Sequence, residues 1–353
     1  MKINKRTIKI AAVGAGIAAI IGGGILGANY LENKYSARPD GAGEALSRTD
    51  IDAANRDRDD VLHNSNPVRT IEYNGSTYAY NENLECLLFI GVDDREVTDY
   101  SKDGGPARNS SQADLLLLAV FDKDKQSYTL LQINRDTMVE QMMYDYFGTY
   151  EGLTTDQIAL AHTYRSGLQD SCEDTVFAVS RFLYEVDIEN YFCLTMDAIP
   201  VINDSVGGVT VTIEDDFSEV DPTLIKGETI TLHGDQAEHY VRSRREVVND
   251  PTNINRMSRQ RSYMSSILPM LGEKTAQNDT FAIKLFDKLS PYMVTDCTID
   301  QLSTYIEKFS GYKLEKIVTP EGESKEGQKF MEFYVNESKL RALVIDLFYV
   351  KQE

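Results

Sequence analysis

The stretch Ala113–Arg135, ADLLLLAVFDKDKQSYTLLQINR, holds two apolar runs on either side of a charged turn. Leu115–Phe121 and Tyr128–Asn134 are short, rich in β-formers and continuous in apolar character. That pattern predicts two strands buried on both faces rather than one helix. Asp122–Gln126 is the turn between them, so the pair is a β-hairpin. Pairing the strands symmetrically about that turn sets Asp114 beside Arg135, a carboxylate and a guanidinium at one sheet edge. A structural ion pair satisfies the same spacing.

Upstream, Leu87–Val92 (LLFIGV) is another apolar strand, ending in Asp93, Asp94 and Arg95. If it runs parallel to Tyr128–Asn134, Asp93 joins Asp114 and Arg135 at the end where α/β sheets place ligands. Thr70–Tyr80 alternates around Asn74-Gly75, a two-residue hairpin turn. Asp170-Ser171 is positioned to cap a helix running through Val186, with Val176, Val179, Phe182 and Leu183 facing the core. Tyr191–Thr195 and Val209–Ile213 read as strands around a short helix that starts at Asp197 and stops at Gly207-Gly208. Gly234–Tyr240 reads as another short helix. The tail from Phe281 supplies two amphipathic helices and a strand near Phe333–Val335. The expected fold is therefore α/β: a mixed central sheet covered by helices on both faces.

Ahead of this domain, Lys2, Lys5, Arg6 and Lys9 precede an uncharged run from Ile10 to Ala28. The run just suffices for a transmembrane helix, and its basic flank places residues 1–9 in the cytoplasm and the rest outside. We expect a single-pass membrane span over 10–30, an extracellular tether over 31–68, and one domain over 69–353.

The 353 residues carry a net charge of −20, which repels phosphate backbones and argues against nucleic acid as a partner. Cys86, Cys172, Cys193 and Cys297 form no CxxC pair, and His63, His162, His233 and His239 are scattered, so the sequence spacing predicts no zinc site. Against the acidic background, Tyr240–Arg261 (YVRSRREVVNDPTNINRMSRQR) concentrates Arg242, Arg244, Arg245, Arg256, Arg259 and Arg261. Guanidinium groups fork onto phosphate or carboxylate oxygens, so such a cluster suits a polyanion; it also suits ion pairing with the excess carboxylates. If Tyr240–Arg244 is extended, Arg242 and Arg244 share a face and Arg245 points away. If Asn255 caps a helix, Arg256 and Gln260 lie one turn apart above a stripe of Met264, Ile267 and Leu271.

An anchored amino terminus followed in order by LLFIGVDDR, QADLLLLAVFD, LLQINRDT, DAIPVINDSVGGVTV, LHGDQAEHYVRSR and NRMSRQR resembles the LytR-CpsA-Psr family of Gram-positive envelope proteins. The resemblance implies a phosphotransferase that moves a polyprenyl-pyrophosphate-linked glycopolymer onto peptidoglycan or a related acceptor sugar at the outer membrane face. It implies that Asp93 and Asp114 hold Mg²⁺. It makes Asp93, Asp114, Arg135, Arg242 and Arg244 catalytic, with Arg135, Arg242, Arg244, Arg256, Arg259 and Gln260 on the pyrophosphate. Departures from the family pattern fall at Gln112, where Arg is frequent, at Ala159 and Ala161, where Lys and Asn are, and at Asn253, where Asp is common. A non-catalytic binder of polyprenyl phosphate or cell-wall glycan, and an envelope polyprenyl-pyrophosphatase, are the rival readings.

Overall fold

The structure, a computed structural model, describes residues 58, 69–101, 109–145, 147–244, 247, 252–278, 280–309 and 311–352. The expected cytoplasmic tail and membrane span lie outside these residues, as does the expected tether apart from Arg58. Among the described residues no helix is long and apolar enough to cross a membrane.

The strands are β1 (Thr70–Tyr73), β2 (Ser76–Tyr80), β3 (Leu84–Val92), β4 (Ala113–Asp122), β5 (Ser127–Ile133), β6 (Met138–Tyr144), β7 (Tyr150–Gln157), β8 (Asn190–Leu194), β9 (Val209–Thr212), β10 (Thr229–Leu232), β11 (Met293–Thr295), β12 (Lys313–Val318), β13 (Gly322–Glu326), β14 (Met331–Val335) and β15 (Tyr349–Lys351). The helices are α1 (Gln169–Phe182), α2 (Ala198–Ser205), α3 (Asp235–Arg242), α4 (Ile254–Gln277), α5 (Phe281–Leu289), α6 (Ile299–Lys308) and α7 (Glu337–Phe348). A 3-10 turn spans Ile158–Thr163.

Six strands form the central sheet in the order β11-β8-β3-β4-β5-β12. It is mixed: β3 is antiparallel to β4 and β4 to β5, whereas β3 pairs β8 and β5 pairs β12 in parallel. Hence β3 and β5 run the same way, and the carboxyl ends of both meet the start of β4. Every residue of β3 and β4 is buried, as continuous apolar strands sandwiched between two helical layers must be. On one face Leu87, Phe89, Leu115, Leu117 and Leu130 pack under α2, α4, α5 and α6 through Ile202, Met264, Ile267, Leu285 and Leu302. On the other, Leu88, Ile90, Leu116, Leu118 and Leu131 meet α1 and α7 through Val179, Leu183, Leu340, Val344 and Phe348. Burial of each such leucine contributes about 2 kcal/mol.

The hairpin at Asn74-Gly75 forms as expected, both residues taking positive φ (49° and 74°) between β1 and β2. Helix α1 departs from expectation at both ends. The side chains of Asp170 and Ser171 turn back onto Ser166, Gly167 and Tyr164 of the preceding loop and do not cap it. Positive φ at Tyr184 and Glu185 (62° and 63°) ends it before Val186. Among the described residues the tail holds three α-helices rather than two, and it contributes β12 to the main sheet and β15 to the β1–β2 sheet. Arg58, placed in the tether by sequence, is buried: its Nε donates to Tyr144 Oη at 2.7 Å and its Nη2 to Asp174 Oδ1 at 2.8 Å.

Candidate functional site

The sheet edge at the start of β4 carries the chemistry. Leu116 opposes Ile133 in the β4–β5 ladder, so two residues further out Asp114 opposes Arg135. Their side chains meet, Arg135 Nη1 pairing with Asp114 Oδ1. Next to β3 the register steps from Gly91↔Leu115 to Val92↔Ala113, leaving Asp114 as the extra residue of a β-bulge. A bulge re-aims a side chain. Ala113 joins the apolar layer under α1 and α7, while Asp114 joins Leu115 in facing α4. There Arg256, at the start of α4, brings Nη1 to 3.4 Å from Asp114 Oδ2. Asp114 is 2% exposed and lies between two guanidiniums.

Polar neighbours fix both arginines. Arg256 Nε donates to Asn253 Oδ1 at 2.7 Å, and Asn253 donates to Asn134 at 3.2 Å. Arg135 donates to Gln112 Oε1 and lies 3.5 Å from Asp136. Gln112 in turn donates its backbone N–H to Asp93 Oδ1 at 2.7 Å. So Asp93, Asp114, Arg135 and Arg256 come together at one edge, with Gln112, Asn134, Asp136 and Asn253 as their scaffold. Burial pushes the Arg135 guanidinium down to about 10, and Arg256 and Arg244 press it further while Asp136 opposes them. Burial likewise takes Arg256 down to about 9, with Arg244 adding to the effect. Arg256 Nη2 and Arg135 Nε are buried with no hydrogen-bond partner among the described residues. Crowded cations with unsatisfied buried donors are groups that an anionic ligand would satisfy.

The two carboxylates differ. Burial lifts Asp93 to about 6, its bond from Gln112 and the charge of Arg135 only partly opposing this. Asp114 is already held by two cations. Two hard carboxylate groups at one edge are the ligand type a divalent ion such as Mg²⁺ takes.

The remaining expected residues are placed differently. Helix α4 begins at Ile254 with Asn253 at its N-cap position, two residues earlier than an Asn255 cap, and the Asn253 side chain goes to Arg256 and Asn134 without capping the helix. Gln260 does lie one turn beyond Arg256, buried above Met264, Ile267 and Leu271, but it accepts from Gln132 at 2.8 Å on the sheet face. Tyr240–Arg244 is not extended: Arg242 is the last residue of α3, and the chain straightens only at Ser243. Arg242 pairs at 2.7 Å with the buried Glu238 one turn earlier, and Arg95 reaches Glu238 at 3.2 Å and Asp197 at 3.1 Å. Arg242 thus belongs to a rim network, whereas Arg244, partly buried, acts on Arg135 and Arg256. Arg245 lies outside the described residues. Arg259 is built into the fold: it donates to the Tyr240 and Ser243 carbonyls, pairs with Asp215 at 2.7 Å and sits 5.4 Å from the Phe217 ring centre. Glu238, Asp136 and Asn134 escaped the sequence reading. Asp136, adjacent to Arg135 in QINRDT, carried the one available signal.

The mixed sheet thus presents two carboxylates and a set of buried guanidiniums at one edge. The LytR_cpsA_psr family matches residues 48–344, and the chain belongs to that family. It is 26% identical over 240 residues to the polyisoprenyl-teichoic acid–peptidoglycan teichoic acid transferase TagV of Bacillus subtilis, and 26% identical over 214 residues to TagU of Halalkalibacterium halodurans, which bears the same description. These matches cover 66% and 61% of this chain, and the chain spans 55% and 61% of the two relatives. The crystal structure of B. subtilis TagV shares the fold with a TM-score of 0.56 at 22% identity, over 76% of this chain and 96% of that one.

Proposed function

We propose that this protein is a membrane-anchored phosphotransferase that moves a polyprenyl-pyrophosphate-linked glycopolymer onto peptidoglycan or a related acceptor sugar at the outer membrane face. The observation that carries the reading is the buried pair of Arg135 and Arg256, each with an unsatisfied donor, closing on Asp114 at one sheet edge. Family membership and the relatives' description as teichoic acid transferases support the substrate class.

In this reading Arg135, Arg244 and Arg256 take the pyrophosphate oxygens, and Arg259 and Gln260 hold the α3–α4 junction and α4 in place behind them. An acceptor hydroxyl oxygen forms the new bond to phosphorus, the bridging P–O bond breaks, and polyprenyl phosphate leaves with charge that fixed guanidiniums stabilise without reorganising. The hydroxyl proton passes to Asp93 rather than Asp114, since Asp114 is enclosed by two cations, which make it the weaker base. Mg²⁺, held by Asp93 and Asp114, would supply further neutralisation of developing phosphate charge. Arg242 keeps the Glu238 rim network, beside Arg95, in register with the end of β3. Asn253, in place of an acid, leaves Arg256 more cationic toward its ligand.

The test incubates the full-length chain in detergent with a polyprenyl-pyrophosphate sugar and Mg²⁺, with and without an acceptor glycan. Acceptor-dependent release of polyprenyl phosphate is expected. Release that ignores the acceptor would point to a pyrophosphatase, and carrier binding with no release to a pure binder.

A further inference from the structure

Behind the active edge, His162, Cys172 and Cys193 converge from three elements, the 3-10 turn, α1 and β8. Sequence spacing predicted no zinc site, because these residues meet only through tertiary structure. Their ligand-capable atoms all lie within 4.8 Å of one another. His162 Nε2 stands 3.7 Å from Cys172 Sγ and 3.6 Å from Cys193 Sγ. Its Nδ1 lies 3.0 Å from the Ser111 carbonyl oxygen. A carbonyl only accepts, so Nδ1 carries the hydrogen and Nε2 turns its lone pair toward both sulfurs, the tautomer of a metal-ligating imidazole oriented by a backbone partner. With Zn–S near ~2.3 Å, Zn–N near ~2.0–2.1 Å and a tetrahedral angle, sulfur and nitrogen stand roughly 3.5–3.6 Å apart. The separations in the protein match that value.

We infer that His162, Cys172 and Cys193 bind a zinc ion as one neutral imidazole and two thiolates. The charges balance: two thiolates against one divalent ion leave a neutral unit, which a site this deep requires, all three residues being at most 3% exposed. Binding forms two Zn–S bonds and one Zn–N bond, and the two thiol protons pass to solvent. A Cys172–Cys193 disulfide would instead leave the Nε2 lone pair buried with no cation or donor to meet.

The position gives the ion a purpose. Ser111, anchored by His162, is also held through its N–H by Asn109, whose amide donates to the His162 and Tyr164 carbonyls. The next residue, Gln112, donates to Asp93 and accepts from Arg135. Zinc is thus a fixed point from which the loop before β4 positions two groups of the active edge, and its ligands are positioning residues, not catalytic ones.

The experiment purifies the full chain in detergent under reducing conditions, measures bound metal by mass spectrometry, and exchanges the metal for Co²⁺. Stoichiometric zinc and a thiolate-to-cobalt charge-transfer band in the near ultraviolet are expected. Cys172→Ser and Cys193→Ser should lose both, and Cys297→Ser should keep both. Recovery of a peptide pair disulfide-linked through Cys172 and Cys193, absence of the cobalt band after loading the parent protein, or a band that survives in the Cys172→Ser/Cys193→Ser double variant would each overturn the assignment. Should the serine variants fail to fold, the parent's cobalt spectrum alone decides.

Discussion

Arg256 Nη1 lies 3.4 Å from Asp114 Oδ2 although the two residues are 142 positions apart, one on the first turn of α4 and the other on a bulge in β4. This contact joins the helical layer to the sheet edge at the point where the ligand is expected. It also separates the arginines into working classes, each with its own prediction.

Arg256→Ala removes a guanidinium held by Asn253 and Asp114 whose buried Nη2 has no hydrogen-bond partner among the described residues, whereas Arg259→Ala removes one with four partners. Arg256→Ala should weaken binding of a polyprenyl-pyrophosphate sugar by roughly 2–4 kcal/mol and change stability less. Arg259→Ala should cost about 2–4 kcal/mol of folding stability, since it strands the Tyr240 and Ser243 carbonyls and Asp215. Calorimetric titration and denaturant unfolding of both variants check the split, and equal binding losses with equal stability would contradict it.

Arg242 and Arg244 should separate in the same way. Arg242→Ala leaves Glu238, 1% exposed, with Arg95 alone, so unfolding should become easier by about 1–3 kcal/mol. Arg244→Ala leaves the fold unchanged and lowers carrier affinity by roughly 1–3 kcal/mol, because its charge falls on Arg135 and Arg256. Greater carrier loss at Arg242 than at Arg244 would contradict this division.

Asp93 sets a pH dependence. Its folded pKa, about 6, lies above the ordinary aspartate value, so the folded state holds the proton more tightly than the unfolded state. The stability this protonation represents is complete below about pH 4 and lost as pH rises through about 6. Without Mg²⁺, Asp93→Asn should therefore be more stable than the parent at pH 7.5, by roughly 1–3 kcal/mol, and equal to it near pH 4. Added Mg²⁺ should narrow the gap at pH 7.5 by stabilising the parent. Urea midpoints across that range, with and without the ion, measure both effects, and a gap independent of pH would contradict the assignment.

The core of the fold was legible because its strands are continuous apolar runs with no competing reading. The Leu115–Phe121 and Tyr128–Asn134 hairpin carried its own register, and that register alone put Asp114 opposite Arg135. Illegible were features decided by competition for hydrogen bonds. Asp170 and Ser171 look like caps, yet the loop before α1 offers them closer partners; α4 starts two residues ahead of the expected Asn255 cap, where Asn253 gives its side chain to Arg256 and Asn134. The arginine stretch concealed its division of labour, because Glu238 turns Arg242 into a rim residue and Asp215 turns Arg259 into a structural one. The cysteine–histidine cluster was invisible for a related reason: no spacing rule connects a 3-10 turn, a helix and a strand that meet only when the sheet is covered.

The most direct test of the central claim, that the Asp114 edge carries out pyrophosphate cleavage, compares the full-length parent and Asp114→Asn on a polyprenyl-pyrophosphate sugar with Mg²⁺ and acceptor. The substitution keeps the size of the side chain and removes its charge. Polyprenyl phosphate release should fall by about 10²-fold or more while carrier binding persists, since one electrostatic element of the transition state is lost. Release at the parental rate by Asp114→Asn, or no release by the parent itself, would contradict the account.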